Sequence, residues 1–170
     1  LSAIAACMDL GIDFSYIKQG LSIFGGAKRR FEYKGNLNGI TIIDDYAHHP
    51  TEIAATLRAA KNYPHGRIVC AFQPHTYSRT KAFLKDFAKS LSLADIVVLA
   101  DIYAAREKNT FGISSTAILD ELKALGCEAY YFSSFDEIEN FLLKNCVNND
   151  LLITMGAGDI YIVGEHLLEQ

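Results

Sequence analysis

The chain has no excess of positive charge. Sixteen Lys and Arg face twenty Asp and Glu over 170 residues, for a net charge of −4. That balance gives no general basic field for nucleic acid. Long hydrophobic runs are also missing: no apolar stretch approaches the roughly 18 residues that span a bilayer. The opening segment Leu1–Leu10 is apolar but carries no basic leader, cleavage site or initiator Met, so it reads as an excised helix and not as a signal peptide. The four cysteines, Cys7, Cys70, Cys127 and Cys146, are far apart and form no C-x-x-C pair. This excludes a disulfide frame or zinc site by spacing, and reduced thiols suit the cytoplasm. There is no G-x-x-x-x-G-K-[ST] loop, since Gly25-Gly26-Ala27-Lys28 is too short and runs into Arg29. There is no Ser-His-Asp nucleophile elbow either. A chain with these gaps can grip an anion or nucleotide but has no phosphate cradle of its own.

What is present is an ordinary globular composition, half hydrophobic and 21% charged, and enough chain for one domain with a full core. Residues 1–10 predict a helix stopped by Gly11, and Asp13 predicts the cap of a second, with Ile17, Leu21 and Phe24 on one face. Gly25-Gly26 followed by Lys28-Arg29-Arg30 reads as a hinge or linker. The domain boundary falls there. Residues 1–25 are expected to be the last helices of a preceding domain plus linker, and residues 26–170 a separate domain.

After the linker, Phe31-Glu32-Tyr33 and Ile40-Thr41-Ile42-Ile43 flank Gly35–Gly39, a β-hairpin signature. Strands are then expected at Ile68–Phe72, Ile96–Ala100, Glu128–Phe132 and Leu151–Thr154. Helices are expected at 51–62, 78–92, 115–125, 135–145 and 159–168. This alternation predicts an α/β, Rossmann-like, mostly parallel sheet with helices on both faces and an N-terminal β-hairpin.

The polar residues gather at the strand ends. Asp44-Asp45-Tyr46-Ala47-His48-His49-Pro50-Thr51-Glu52 packs two carboxylates, a phenol and two imidazoles into one strand-to-helix turn. Gln73–Thr80, Asp101–Glu107 and Gly156–Asp159 end three further strands. Four such loops on one sheet edge are where a ligand cleft is expected. Adjacent histidines before a proline point their rings apart, so hydrogen bonding to a nucleotide or carboxylate fits His48, His49 and His75 better than a shared metal ion, and no bound metal is expected. Asp45 could instead cap backbone amides. Ser78-Arg79-Thr80 opens a helix, with free N–H groups and a guanidinium, and reads as an anion site unless Ser78 is only a cap. The basic triplet either reaches a phosphate or is a solvated linker. Gly156-Ala157-Gly158-Asp159 lacks the third glycine of a dinucleotide fingerprint and is expected to be a tight turn near a ligand.

Phe24-x-Gly26-x-x-Arg29-Arg30-Phe31, Asp44–Ile53, Phe72-Gln73-Pro74-His75-x-Tyr77-Ser78-Arg79-Thr80, Asp101–Glu107 and Gly156–Asp159 together resemble the carboxy-terminal part of the Mur ligases, over essentially the whole chain. The resemblance implies the third domain of a cytoplasmic, ATP-dependent, amide-forming ligase of bacterial cell-wall precursor synthesis. The first domain would bind the UDP-sugar and the central one would carry the ATP loop. ATP, with Mg²⁺ assisting, would phosphorylate the carboxylate of UDP-N-acetylmuramate, and L-alanine would attack the acyl phosphate. Carried over by motif, Arg30, Asp45, Tyr46 and His48 bind ATP, and His75 and Arg79 bind the amino acid. Some relatives have Arg where this chain has Thr76. The Mg²⁺ ligands would lie mainly outside this chain, and the fragment alone would be inactive. The alternatives are a family member that recycles a tripeptide onto the same UDP-sugar, and a non-catalytic nucleotide-binding module.

Overall fold

The computed structural model describes residues 1–170. Two N-terminal helices, α1 (Ser2–Asp9) and α2 (Phe14–Ile23), precede the sheet. Asp13 caps α2 by accepting from the Ser15 amide at 2.8 Å. Neither helix has a finished core of its own: α1 buries no residue and α2 buries Ile17 alone. Met8, Leu10, Ile12, Phe14, Tyr16, Leu21, Ile23 and Phe24 are exposed.

From Glu32 onward the expected β/α alternation holds. The elements are β1 (Glu32–Leu37), β2 (Ile40–Asp45), α3 (Pro50–Ala60), β3 (Ile68–Phe72), α4 (Tyr77–Ala82), α5 (Leu84–Leu91), β4 (Ile96–Leu99), α6 (Ser115–Ala124), β5 (Glu128–Tyr131), α7 (Phe135–Asn145), β6 (Leu151–Met155) and α8 (Tyr161–Leu168). They form one six-stranded sheet in the order β1-β2-β6-β3-β4-β5. Only the β1–β2 hairpin is antiparallel.

The period-2 pattern of the strands divides the core into two layers. Ile68, Cys70 and Phe72 of β3 face the layer filled by Ile53 and Leu57 of α3, Phe87 and Leu91 of α5, and Ile118 and Leu122 of α6. Val69 and Ala71 face the other, with Ile138 and Leu142 of α7 and Val163 and Leu167 of α8. Helices thus cover both faces, and the carboxyl ends of β2, β6, β3 and β4 lie side by side at one edge.

Three elements differ from the expectation. Strand β1 runs on to Leu37, so only Asn38 and Gly39 of the stretch read as the hairpin turn join the two strands. The single helix expected over 78–92 is two, because Phe83 leaves helical geometry (φ −115°, ψ 25°). The break seats its ring against His49, with centroids 4.9 Å apart. Strand β2 runs past Ile43 through both aspartates, which pair in register with Thr154 and Met155 of β6. A buried carboxylate is tolerated in a central strand only with partners, and both have them.

Candidate active-site edge

Asp44 is 1% exposed. Its carboxylate receives Arg29 Nε at 2.8 Å and Thr154 Oγ1 at 2.8 Å. Burial pushes its pKa above the usual carboxylate value, with Arg29 and Thr154 pulling the other way. The same guanidinium donates to the Gly156 carbonyl at 2.7 Å and the Gly158 carbonyl at 3.1 Å. It also lies over the rings of Tyr46 and Tyr161, 5.0 and 4.6 Å from their centroids. Arg29 is therefore wholly committed to binding the linker to the sheet edge. Arg30 is exposed and meets only the Tyr46 ring, at 5.5 Å. Of the basic triplet, the structure turns one arginine inward and leaves its neighbour free.

Asp45 is the backbone holder that the sequence left as an alternative. Its two oxygens accept from Ala47 N and Phe31 N, both at 2.8 Å. These bonds fix the linker residue Phe31, which sits at φ 51°, and shape the turn that presents Tyr46 and His48. The two histidines then part company. His49 caps α3: its Nδ1 accepts from Thr51 N at 3.3 Å, Glu52 reaches back to its amide, and Pro50 occupies the first turn. His48 stays at the edge. Its Nδ1 lies 3.0 Å from the Tyr46 carbonyl. A carbonyl can only accept, so Nδ1 carries the proton and Nε2 is left for a ligand.

The His48 ring meets the His75 ring edge-on, with centroids 5.7 Å apart. His75 in turn has Arg79 Nη1 3.4 Å from its Nδ1. Guanidinium has no lone pair to offer, so His75 Nδ1 is the acceptor there. Burial lowers the pKa of His75, and the charges of Arg79 and His48 lower it further, against Glu107. The structure thus brings Tyr46, His48, His75 and Arg79 into one continuous group, flanked by Arg30 and supported from below by Asp45.

One sequence expectation is corrected. The start of α4 is not an open anion site, because the carboxylate of Glu107 fills it. Glu107 accepts from Ser78 N at 2.9 Å and Ser78 Oγ at 2.5 Å. The Gly156–Gly158 turn is tight for an internal reason. A Cβ on Gly156 would stand 2.6 Å from the Gln73 carbonyl oxygen, and one on Gly158 would overlap Gln73 Oε1. The space the glycines leave is occupied by Gln73, whose Oε1 accepts from Asp159 N and Ile160 N at 2.8 and 3.2 Å. Gln73 also reaches the Asp101 carbonyl at 3.4 Å, so one buried amide joins three loops. Sequence reasoning singled out Arg30 but gave no role to Arg29, Gln73, Tyr103 or Glu107. No group of three His, Cys, Asp or Glu gathers to hold a metal ion.

A mostly parallel Rossmann-like sheet with basic and imidazole side chains at its carboxyl edge defines an α/β domain with its polar cluster where such folds place their ligand sites. Residues 29–158 match the family described as Mur ligase, glutamate ligase domain. The chain belongs to the Mur ligase family. Among its relatives, the UDP-N-acetylmuramate–L-alanine ligase of Agathobacter rectalis is 67% identical over 170 residues, covering 100% of this chain and 37% of that protein. That of Lachnospira eligens is 61% identical over 169 residues, covering 99% and 37%. The chain therefore spans little more than a third of the length of these relatives. The crystal structure of the UDP-N-acetylmuramate–alanine ligase of Thermotoga maritima superposes with a TM-score of 0.81 at 34% identity, over 98% of this chain and 35% of that one. A murein peptide ligase from Psychrobacter arcticus superposes at 0.69 with 28% identity, over 98% and 35%.

Proposed function

We propose that this chain is the carboxy-terminal domain of a cytoplasmic, ATP-dependent ligase that joins L-alanine to UDP-N-acetylmuramate through an acyl phosphate, in peptidoglycan precursor synthesis. The observation that carries the reading is the 67% identity, along the whole chain, to an enzyme named for that reaction. Residues 1–25 are the last helices of the preceding, ATP-binding domain. Their bare apolar face, with Leu10, Phe14, Tyr16, Ile23 and Phe24 exposed, supports this, since such patches mark contact surfaces.

In this reading the domain closes over ATP with Arg30, Tyr46 and His48, on the turn that Asp45 shapes. Arg30 faces the phosphates, and the His48 Nε2 and the Tyr46 ring take the ribose and base side. His75 and Arg79 take the amino acid. A His75 held neutral near pH 7 leaves Arg79 as the cation for the alanine carboxylate, and keeps the alanine amine free to attack. Mg²⁺ would offset the charge of the triphosphate, and its ligands belong mainly to the preceding domains. This chain's share of catalysis is positioning and charge neutralisation.

The second reading is a murein peptide ligase that adds a tripeptide to the same UDP-sugar; the 28% identity to such an enzyme supports it less than the 34% to an alanine ligase. The test is ligation by the full-length protein with ATP, Mg²⁺ and UDP-N-acetylmuramate, offering L-alanine or the tripeptide. ADP release that depends on L-alanine is expected. Release that depends on the tripeptide alone would hand the assignment to the second reading. No release with either would leave a non-catalytic nucleotide-binding module.

A further inference from the structure

The loop between β4 and α6 supplies none of the residues assigned above, yet it grips the amino-acid side of the edge. Tyr103 forms a parallel bridge with His75. Its carbonyl accepts from Thr76 N at 2.9 Å and its amide donates to the Pro74 carbonyl at 2.8 Å. Its ring stacks on His75, with centroids 5.6 Å apart and planes at 21°. Four residues on, Glu107 closes the grip on Ser78 N and Oγ.

Between these anchors sits Thr76, at φ 66° and ψ 144°. A β-branched residue adopts positive φ only where its surroundings impose it. The turn from His75 to Arg79 would relax without outside restraint, and a relaxed turn would carry the Arg79 guanidinium away from His75. Tyr103 restrains the strand side of the turn, and Glu107 restrains the helix side with a full charge. The bonds from Ser78 hold the Glu107 carboxyl below the usual carboxylate range, so it is ionised near neutrality.

We propose that Glu107 is a positioning residue: its carboxylate clamps Ser78 and holds the strained Thr76 turn so that His75 and Arg79 face the amino-acid substrate together. This deepens the alanine-site reading and rests on it. Glu107 touches no substrate; it acts through Ser78. The charged groups around His75 are Arg79 from α4, His48 from the β2–α3 turn and Glu107 from this loop. Of these, only Glu107 favours the charged imidazole.

The test has two arms in the full-length protein, with unfolding midpoints as a control for folding. In steady-state kinetics, Glu107→Ala is expected to raise the KM for alanine about fivefold, the loss of one exposed charge-assisted contact. The KM values for ATP and UDP-sugar should stay put. Glu107→Gln keeps an acceptor for Ser78 and should recover part of the loss. In the second arm, the His75 ring is titrated by NMR, and its midpoint should fall in Glu107→Gln because the favourable charge is gone. Folded Glu107 variants with a wild-type KM for alanine would overturn the proposal. If the wild-type protein makes no use of alanine, the ligase reading fails. The titration then decides alone, and an unmoved His75 midpoint overturns the clamp as well.

Discussion

Replacing Arg29 by alanine strands the most deeply buried charge at the sheet edge. Asp44 would keep Thr154 Oγ1 as its one side-chain partner, and the Gly156 and Gly158 carbonyls would lose their donor. Removing one member of a buried ion pair costs about 3–5 kcal/mol, and the lower end applies here because water reaches Arg29. For a domain of this size that is a fall in Tm of roughly 6–12 °C. The loss should depend on pH. Burial already raises the Asp44 pKa in the folded protein, and without Arg29 it would rise further. A group with a raised folded pKa contributes stability that is present at low pH and lost as pH climbs through the folded value. The gap between variant and wild type should therefore narrow as pH falls through the folded Asp44 value and be widest on the alkaline side, at about pH 8. Arg30→Ala is the control: the side chain is exposed and touches one ring, so its stability cost should stay within about 0.5 kcal/mol. Thermal unfolding of the three proteins across pH is the assay. An Arg29→Ala midpoint within about 2 °C of wild type at about pH 8, or a loss that deepens as pH falls, would refute the clamp.

His75 should titrate below the ordinary imidazole value of about 6.5, because burial and the charges of Arg79 and His48 oppose its protonation. Folding stability tied to it is present above that value and lost as pH drops towards the folded pKa. A ring-proton titration that places His75 above about 6.5 would contradict this. Gly158→Ala should force the buried Gln73 amide from its place, at roughly 1–3 kcal/mol by denaturant unfolding; an unchanged midpoint would show that the three loops do not depend on Gln73. The 170-residue chain by itself should show no alanine-dependent ADP release above a blank, since it holds no phosphate loop; turnover by this piece would contradict its role as one domain of the ligase.

The fold was largely legible because its signals are local. Strand β3 has the bounds read from its apolar run, Ile68–Phe72, and the β/α alternation named the architecture. The break at Phe83 was not legible, since it answers to a contact with His49, the cap of another helix. The extension of β2 through Asp44 and Asp45 was hidden for a similar reason: two acidic residues look like the end of a strand until Arg29 and the backbone amides are seen to satisfy them. The candidate site divides the same way. Tyr46, His48, His75 and Arg79 stood out as reactive groups crowded into two short turns. Glu107 lies 29 residues from Ser78, Gln73 lies 86 from Asp159, and Arg29 lies 127 from Gly156. Supports that act across such separations leave no periodicity or spacing to read.

The proposed division of labour gives ATP to Arg30, Tyr46 and His48 and the amino acid to His75 and Arg79. It is tested most directly by steady-state kinetics of full-length Arg30→Ala and Arg79→Ala, with ATP, UDP-N-acetylmuramate and L-alanine each varied in turn. A charge-assisted hydrogen bond of about 1.5–3 kcal/mol predicts losses of roughly ten- to a hundredfold. In Arg30→Ala the loss should fall on ATP. In Arg79→Ala it should fall on alanine, with Arg79→Lys restoring only part because the bidentate fork is gone. An Arg79→Ala enzyme whose defect lies in ATP or the UDP-sugar, with its KM for alanine unchanged, would contradict the account.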